Sequence, residues 1–174
     1  AAKTNSEPGS PVNCTSLNWS PDGEELLWPE YQQKESRHAV KVLNRLTGIL
    51  REVAYSQETQ PHPRWSPDGR EIAYTNGDCL EVISREGGPK RKITCASDSH
   101  TPSADGEYLS AGELSWSRDG GRIAWTVHNV ADKRVDFWLV DYFSGNHVVW
   151  PGDPNYKTIP ISPQWSPDGK QIAF

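Results

Sequence analysis

The sequence predicts an all-β fold built from repeated four-stranded antiparallel units. A Trp-led motif occurs four times, its copies lie 46, 51 and 49 residues apart, and no segment keeps apolar residues at helical spacing without an interrupting Pro or Gly. Repeats with a period of about 20 to 50 residues are typical of solenoids, propellers and arrays. We therefore expect one structural unit, repeated along the chain.

Each motif copy combines a short strand, a tight turn and a second strand. Pro presets the first φ of the turn, Asp can accept a hydrogen bond from the backbone two residues on, and Gly tolerates the positive φ that closes the turn. The residues that follow alternate polar and apolar, as in a half-buried strand. The copies occupy 19–28, 65–74, 116–125 and 165–174, and their shared residues are Trp19, Asp22, Gly23, Trp65, Asp68, Gly69, Trp116, Asp119, Gly120, Trp165, Asp168 and Gly169.

A second hairpin is predicted between successive motifs, at 39–53, 79–94 and 135–150, with Gly near each corner. Two hairpins per repeat give four strands in about 50 residues, the size of a β-propeller blade. We expect a polar extension over 1–13, and over 14–174 three complete blades with the first hairpin of a fourth. Because closed propellers have about four to eight blades, the chain is predicted to be a fragment of a larger propeller. A four-bladed ring closed by the N-terminal residues is the alternative.

The motif resembles the WD-like propeller repeat of the TolB family, whose blades open with Trp-Ser-Pro-Asp-Gly-x-x-Ile-Ala-Phe. The resemblance covers residues 15–174, and Arg118 replaces the turn Pro in the third copy. It implies a propeller of about six blades in a periplasmic or extracellular protein. The same repeat is also found in the propeller domain of prolyl oligopeptidase-like hydrolases.

The amino-acid composition argues against nucleic acid and membranes as binding partners. Eight Trp, six Tyr and three Phe supply an aromatic core, while the net charge of −5 gives no general attraction to nucleic acid. No window approaches the roughly 18 uncharged apolar residues that a membrane helix needs, so no membrane insertion is expected. A protein partner or a larger assembly is the expected partner.

The long loops predict where a partner would bind. Turns after the second and fourth strands of each blade share one side of a propeller, and here they are much longer than the tight turns of the opposite side. His62 and Glu113 lie just before a motif Trp and are therefore predicted to face the central channel. The candidate partner-binding residues are His62, His100, Tyr108, Glu113, His128, Arg134 and Tyr156.

The three cysteines allow one internal bond. Cys79 and Cys95 flank the corner of a hairpin almost symmetrically and can pair in an oxidising compartment, which leaves Cys14 free or bonded elsewhere. Asn13-Cys14-Thr15 also fits a glycosylation acceptor.

The repeated Asp residues are expected to serve the turns and not to bind metal. No nucleophile elbow, phosphate loop, dinucleotide fingerprint or zinc motif occurs in the sequence, and no cofactor or metal is predicted. The sequence therefore favours a non-catalytic scaffold for protein–protein interaction over an enzyme. The alternatives are a propeller domain within a larger oligopeptidase-like hydrolase, and a propeller lyase that holds a metal over the channel.

Overall fold

The computed structural model describes residues 17–57, 59–98, 109–129, 134–152 and 162–173. These ranges form three four-stranded antiparallel sheets and one two-stranded sheet, with a single 3₁₀ turn at Ala96–Asp98 and no α-helix. The predicted all-β fold of three complete blades and the first hairpin of a fourth is thus confirmed. The described ranges hold no helix with the length and apolar character that a membrane crossing requires.

In every sheet the strand order follows the chain order. The first sheet contains β1 (Asn18–Trp19), β2 (Glu25–Gln32), β3 (Arg37–Asn44) and β4 (Leu50–Ser56). The second contains β5 (Arg64–Trp65), β6 (Glu71–Asn76), β7 (Cys79–Ser84) and β8 (Arg91–Cys95). The third contains β9 (Leu109–Trp116), β10 (Arg122–Asn129), β11 (Arg134–Asp141) and β12 (His147–Trp150), and the fourth contains β13 (Gln164–Trp165) and β14 (Ile172–Ala173).

The sheets fan out around an axis. The first strands of successive sheets lie against one another, β1 against β5, β5 against β9 and β9 against β13. These four strands are therefore the inner strands of the propeller, and the other strands extend outward from them.

The motif turn forms in the way the sequence predicts. In the first copy the Ser20 hydroxyl donates to Asp22 Oδ1 over 2.6 Å, and the Glu24 N–H donates to the same oxygen over 3.0 Å. Gly23 has a φ of 71°, which a side chain would strain. The same Ser–Asp bond recurs in the other three copies, including the one with Arg118 in place of Pro. The Pro is therefore dispensable for the turn.

Two apolar cores lie between adjacent sheets. Trp65 joins residues of the first and second sheets, including Val42 and Ile72, and Trp116 joins residues of the second and third, including Val82 and Trp125. Each of these motif tryptophans therefore packs against the preceding sheet, which explains why tryptophan recurs at the start of the repeat.

Candidate functional site

Four polar residues gather beside the inner strands on the side of the long loops. His62 lies two residues before β5, Arg64 is the first residue of that strand, Glu113 lies on β9 and His128 lies on β10. We call this set the axial cluster. Three of its members, His62, Glu113 and His128, are sequence-predicted candidates.

Glu113 links the second and third sheets. One carboxylate oxygen lies 3.2 Å from His62 Nδ1 and the other 2.5 Å from the Arg64 guanidinium. The side chains of His62, Arg64 and Glu113 are only 23%, 18% and 21% exposed. The contact with His62 becomes an ion pair when the imidazole is protonated.

A β-bulge lies beside Glu113 on β9. The pairing of β9 with β10 shifts register, so that Gly112 and Glu113 together oppose Thr126. Glu113 is half-buried, between the buried Gly112 and Leu114. The structure requires Gly at position 112, because a Cβ there would lie 2.5 Å from Thr126 Oγ1 and 3.1 Å from His128 Nε2.

Two equivalent threonines anchor the cluster to the second strand of each repeat. The Thr126 hydroxyl donates to the carbonyl of Glu113 over 3.2 Å, and Thr75 Oγ1 accepts the N–H of His62 over 3.0 Å. Both threonines stand ten residues after a motif Trp, and both anchored residues stand three before one. The repeat thus places His62 and Glu113 at equivalent positions, His62 just before inner strand β5 and Glu113 within inner strand β9.

The cluster shifts the pKa values of two of its members. Burial alone would raise the pKa of Glu113, but the close contact with the His62 imidazole and the positive charges of Arg64 and His62 lower it overall. Burial lowers the pKa of His128, and the charge of His62 lowers it further. At neutral pH Glu113 is therefore ionised and His128 is uncharged.

The axial cluster offers groups that can hydrogen-bond to a bound molecule. The Glu113 charge is balanced by Arg64, and His128 offers an uncharged imidazole with one donor and one acceptor. Such a set presents hydrogen-bonding groups with little net charge. It suits peptide groups or other neutral polar groups better than a phosphate.

The remaining predicted residues lie elsewhere. Arg134 begins β11, one strand further from the axis than His128, and its Nε lies 2.7 Å from the buried carboxylate of Asp136. Asp136 also accepts the N–H of Gly152 over 3.0 Å, so Arg134 belongs to a network that ties down the end of the third sheet. His100, Tyr108, Tyr156, Cys14 and the glycosylation motif lie outside the described residues.

The strands on this side are longer than the sequence suggested. We expected Glu113, His128 and Arg134 to lie on loops, but β9, β10 and β11 include them. Sequence reasoning also missed Arg64, although its position next to the motif Trp on an inner strand was the available signal. Strand positions hold side chains more rigidly than loop positions do.

Cys79 and Cys95 lie opposite each other on β7 and β8 and are joined by a disulfide. Together with Asp78 they are the only three His, Cys, Asp or Glu side chains in the described ranges whose ligand atoms lie within 4.8 Å of one another. The disulfide uses both sulfurs, so this group offers a single carboxylate.

In sequence, the chain is similar to a bacterial protein described as a peptidase. The chain is 30% identical over 134 residues to the uncharacterized peptidase YuxL of Bacillus subtilis (strain 168), an alignment that covers 72% of the chain and 19% of the peptidase. The chain thus spans about a fifth of that relative's length. No family model matches the sequence.

Structural comparison shows a propeller fold. A structure from Agrobacterium tumefaciens assigned as TolB superposes with a TM-score of 0.64 at 19% identity, covering 89% of this chain and 57% of that one. An oligogalacturonate lyase in complex with manganese superposes with a TM-score of 0.64 at 13% identity, covering 90% and 45%. The periplasmic gluconolactonase of Pseudomonas aeruginosa gives 0.55 at 21% identity, again covering 90% and 45%. At these identities the likeness establishes a TolB-like propeller fold and no particular activity.

Proposed function

We propose that the chain forms part of the propeller domain of a larger peptidase-like hydrolase and contacts the substrate without supplying catalytic groups. The observation that carries this proposal is the 30% identity over 134 residues with the peptidase YuxL. From the sequence alone, a propeller domain within a hydrolase was the alternative to a scaffold. The similarity to a peptidase is the reason that we now favour the hydrolase.

The axial cluster supplies the substrate-contacting surface in this proposal. A polypeptide that passes along the propeller axis would meet the imidazole of His128 and the bound pair of Arg64 and Glu113. Because these groups carry little net charge, they would hydrogen-bond to the peptide backbone whatever its side chains are. The bulge and the two anchoring threonines hold them in place.

Substitution in the full-length protein tests the proposal. Replacing Glu113 with Gln, or His128 with Ala, should lower kcat/KM for long peptides about tenfold, the effect of losing roughly one substrate hydrogen bond. Cleavage of a small chromogenic substrate should stay unchanged, because it does not need the axis. Glu24→Gln, at an exposed position on the opposite side, is the matched control. Unchanged cleavage of long peptides by both variants, or a full-length protein without peptidase activity, would refute the proposal.

A second candidate is the non-catalytic scaffold that the sequence favoured. At the long-loop end of the first sheet Tyr31 and Tyr55 are 55% and 49% exposed, and the guanidinium carbon of Arg37 lies 4.6 Å from the Tyr55 ring centre. Tyrosine and arginine are enriched at protein–protein interfaces. A partner captured by the wild-type chain and lost with Tyr31→Ser or Tyr55→Ser supports this function, whereas equal capture by both variants excludes this surface.

We further propose a periplasmic or extracellular location. Disulfides such as Cys79–Cys95 persist mainly in oxidising compartments, and one structural neighbour is named as periplasmic. Cell fractionation should recover the protein outside the cytoplasm, and recovery in the cytoplasm with reduced Cys79 and Cys95 would contradict the assignment.

A further inference from the structure

On the side of the motif turns, a guanidinium fills the junction between the first two sheets. Arg85, from the corner between β7 and β8, lies 2.5 Å from Asp22 and 2.8 Å from Glu25 of the preceding sheet. Its guanidinium carbon lies 5.5 Å from the centre of the Trp65 ring. Arg51 adds a second contact to Glu25 over 2.9 Å. Two carboxylates and one indole ring therefore surround the guanidinium of Arg85.

The junction between the second and third sheets has the same two carboxylates and the same indole ring at equivalent positions, but no arginine in the place of Arg85. Asp68, Glu71 and Trp116 occupy the places of Asp22, Glu25 and Trp65, and Tyr142 occupies that of Arg85. The equivalence is structural, because the Arg85 N–H donates to the Arg70 carbonyl over 2.8 Å and the Tyr142 N–H donates to the equivalent Gly121 carbonyl over 3.0 Å.

Neither carboxylate of the second junction has a well-placed guanidinium among the described residues. Glu71 accepts the hydroxyl of Tyr142. Asp68 accepts local turn hydrogen bonds, and its nearest cation is the largely exposed Arg70 at 3.8 Å. Arg91, the counterpart of Arg51, lies with its guanidinium carbon 4.6 Å from the Tyr142 ring centre and donates to the Tyr142 carbonyl, not to Glu71.

A cavity of about 680 Å³ opens at this second junction. Asp68, Glu71, Trp116 and Tyr142 line it, and Phe143, which is 78% exposed, lines it as well and offers an apolar surface. Two arginines also line the cavity: the Arg118 guanidinium donates to the Pro167 carbonyl over 3.0 Å, and Arg70 is largely exposed. The cavity thus combines counterparts of the acidic and aromatic groups that hold Arg85 in the first junction with an additional ring that could contact an alkyl chain.

We propose that this cavity binds an alkyl guanidinium group, such as an arginine side chain presented by a partner or a free arginine derivative. The guanidinium would donate to Asp68 and Glu71, while its alkyl chain would lie against Phe143. The Tyr142 ring packs on Trp116, with 5.0 Å between the ring centres, so the guanidinium would lie beside this aromatic pair and not over the indole. The first junction shows that this set of residues holds a guanidinium in the same fold.

Binding to the 174-residue chain can be measured by following the indole N–H signal of Trp116 by NMR. N-acetyl-arginine amide should shift this signal, and the citrulline analogue, equal in shape but uncharged, should bind at least tenfold more weakly. Asp68→Asn and Glu71→Gln should each weaken binding about tenfold, while Glu24→Gln should not. Tighter binding of an arginine-containing peptide than of agmatine identifies a protein side chain as the ligand, and the reverse order identifies a small molecule.

A second variant keeps the test decisive if the carboxylate variants fold poorly. Tyr142→Arg supplies an internal guanidinium at the place that Arg85 occupies in the first junction. This variant should raise the Tm and abolish binding of N-acetyl-arginine amide. Equal binding of the arginine and citrulline compounds, no binding of either, or undiminished binding by the Tyr142→Arg variant would overturn the proposal.

Discussion

The four motif tryptophans stand at equivalent positions, yet replacing them with alanine should destabilise the protein unequally. Trp116 lies between the second and third sheets and is 9% exposed, whereas Trp19 on the first inner strand is 55% exposed. A buried tryptophan covers on the order of 200 Å². Nearly half of that surface, about 100 Å², is thus buried at Trp116 and open at Trp19. At about 25 cal/mol per Å² this corresponds to roughly 2.5 kcal/mol.

The cavity left by a core substitution adds to this difference. Trp→Ala in a packed core costs about 3–5 kcal/mol in total, so Trp116→Ala should fall in that range. Trp19→Ala should cost at least about 2 kcal/mol less. The free energy of unfolding, measured by urea titration followed by far-UV circular dichroism, gives both values for the 174-residue chain. Trp116→Phe is the matched control and should recover part of the loss because it retains a ring.

The reasoning fails if Trp19→Ala and Trp116→Ala destabilise the chain equally. That result would mean that the motif tryptophan acts within its own hairpin and not between sheets. A change in the denaturant dependence of unfolding would instead signal a change in the surface exposed on unfolding or a loss of two-state behaviour, and in the latter case neither a free energy of unfolding nor a Tm is defined for that variant.

Three further predictions concern single features. Iodoacetamide should label neither Cys79 nor Cys95 before reduction and both after it, as peptide mass spectrometry can check; early labelling would exclude the disulfide. The NMR titration midpoint of His128 should lie below 6.5, because burial and then the charge of His62 lower its pKa, and His62→Ala should raise it part of the way back. Hydrogen bonds from a serine hydroxyl and a backbone N–H lower the pKa of Asp119 below its ordinary 3.8. Its stabilising effect is therefore present above pH 3.8 and is lost as the pH falls through the folded-state pKa. Between pH 5 and pH 2 the Tm of the Asp119→Asn variant should accordingly fall less than the Tm of the wild type. An equal fall in both proteins would contradict a stabilising role of ionised Asp119.

The repeat unit was predictable because its signals are local. Ser20, Asp22 and Gly23 form their turn with bonds that span no more than five residues, and the same letters recur three more times. Turn chemistry and strand alternation are read directly from neighbouring residues. Cys79 and Cys95 lie opposite each other because a short hairpin connects them, and this was also predictable from the sequence.

The axial cluster was only partly predictable because it joins distant residues. Sequence position places His62 and Glu113 before a motif Trp, but their contact joins residues that are far apart in the chain and lie at two different sheets. No pattern in the sequence indicates where a bulge interrupts β9 or which residues of the second sheet Glu113 contacts. Arg64 was missed for the same reason, since its partner is 49 residues away.

Equivalent positions explain how one repeat can carry different chemistry at each junction. The turn and the Trp are held constant, since they form the blade and pack it against the preceding sheet. Positions outside the motif vary: Tyr142 in the third sheet stands where Arg85 stands in the second. A guanidinium fills the first junction, whereas the second opens into a cavity. Because the frame around these positions is rigid, a single substitution there changes which group the junction can hold without changing the fold. Differences in function between the junctions of this propeller are therefore expected to follow the residues that differ between repeats, while the invariant motif residues supply the same surroundings at each junction.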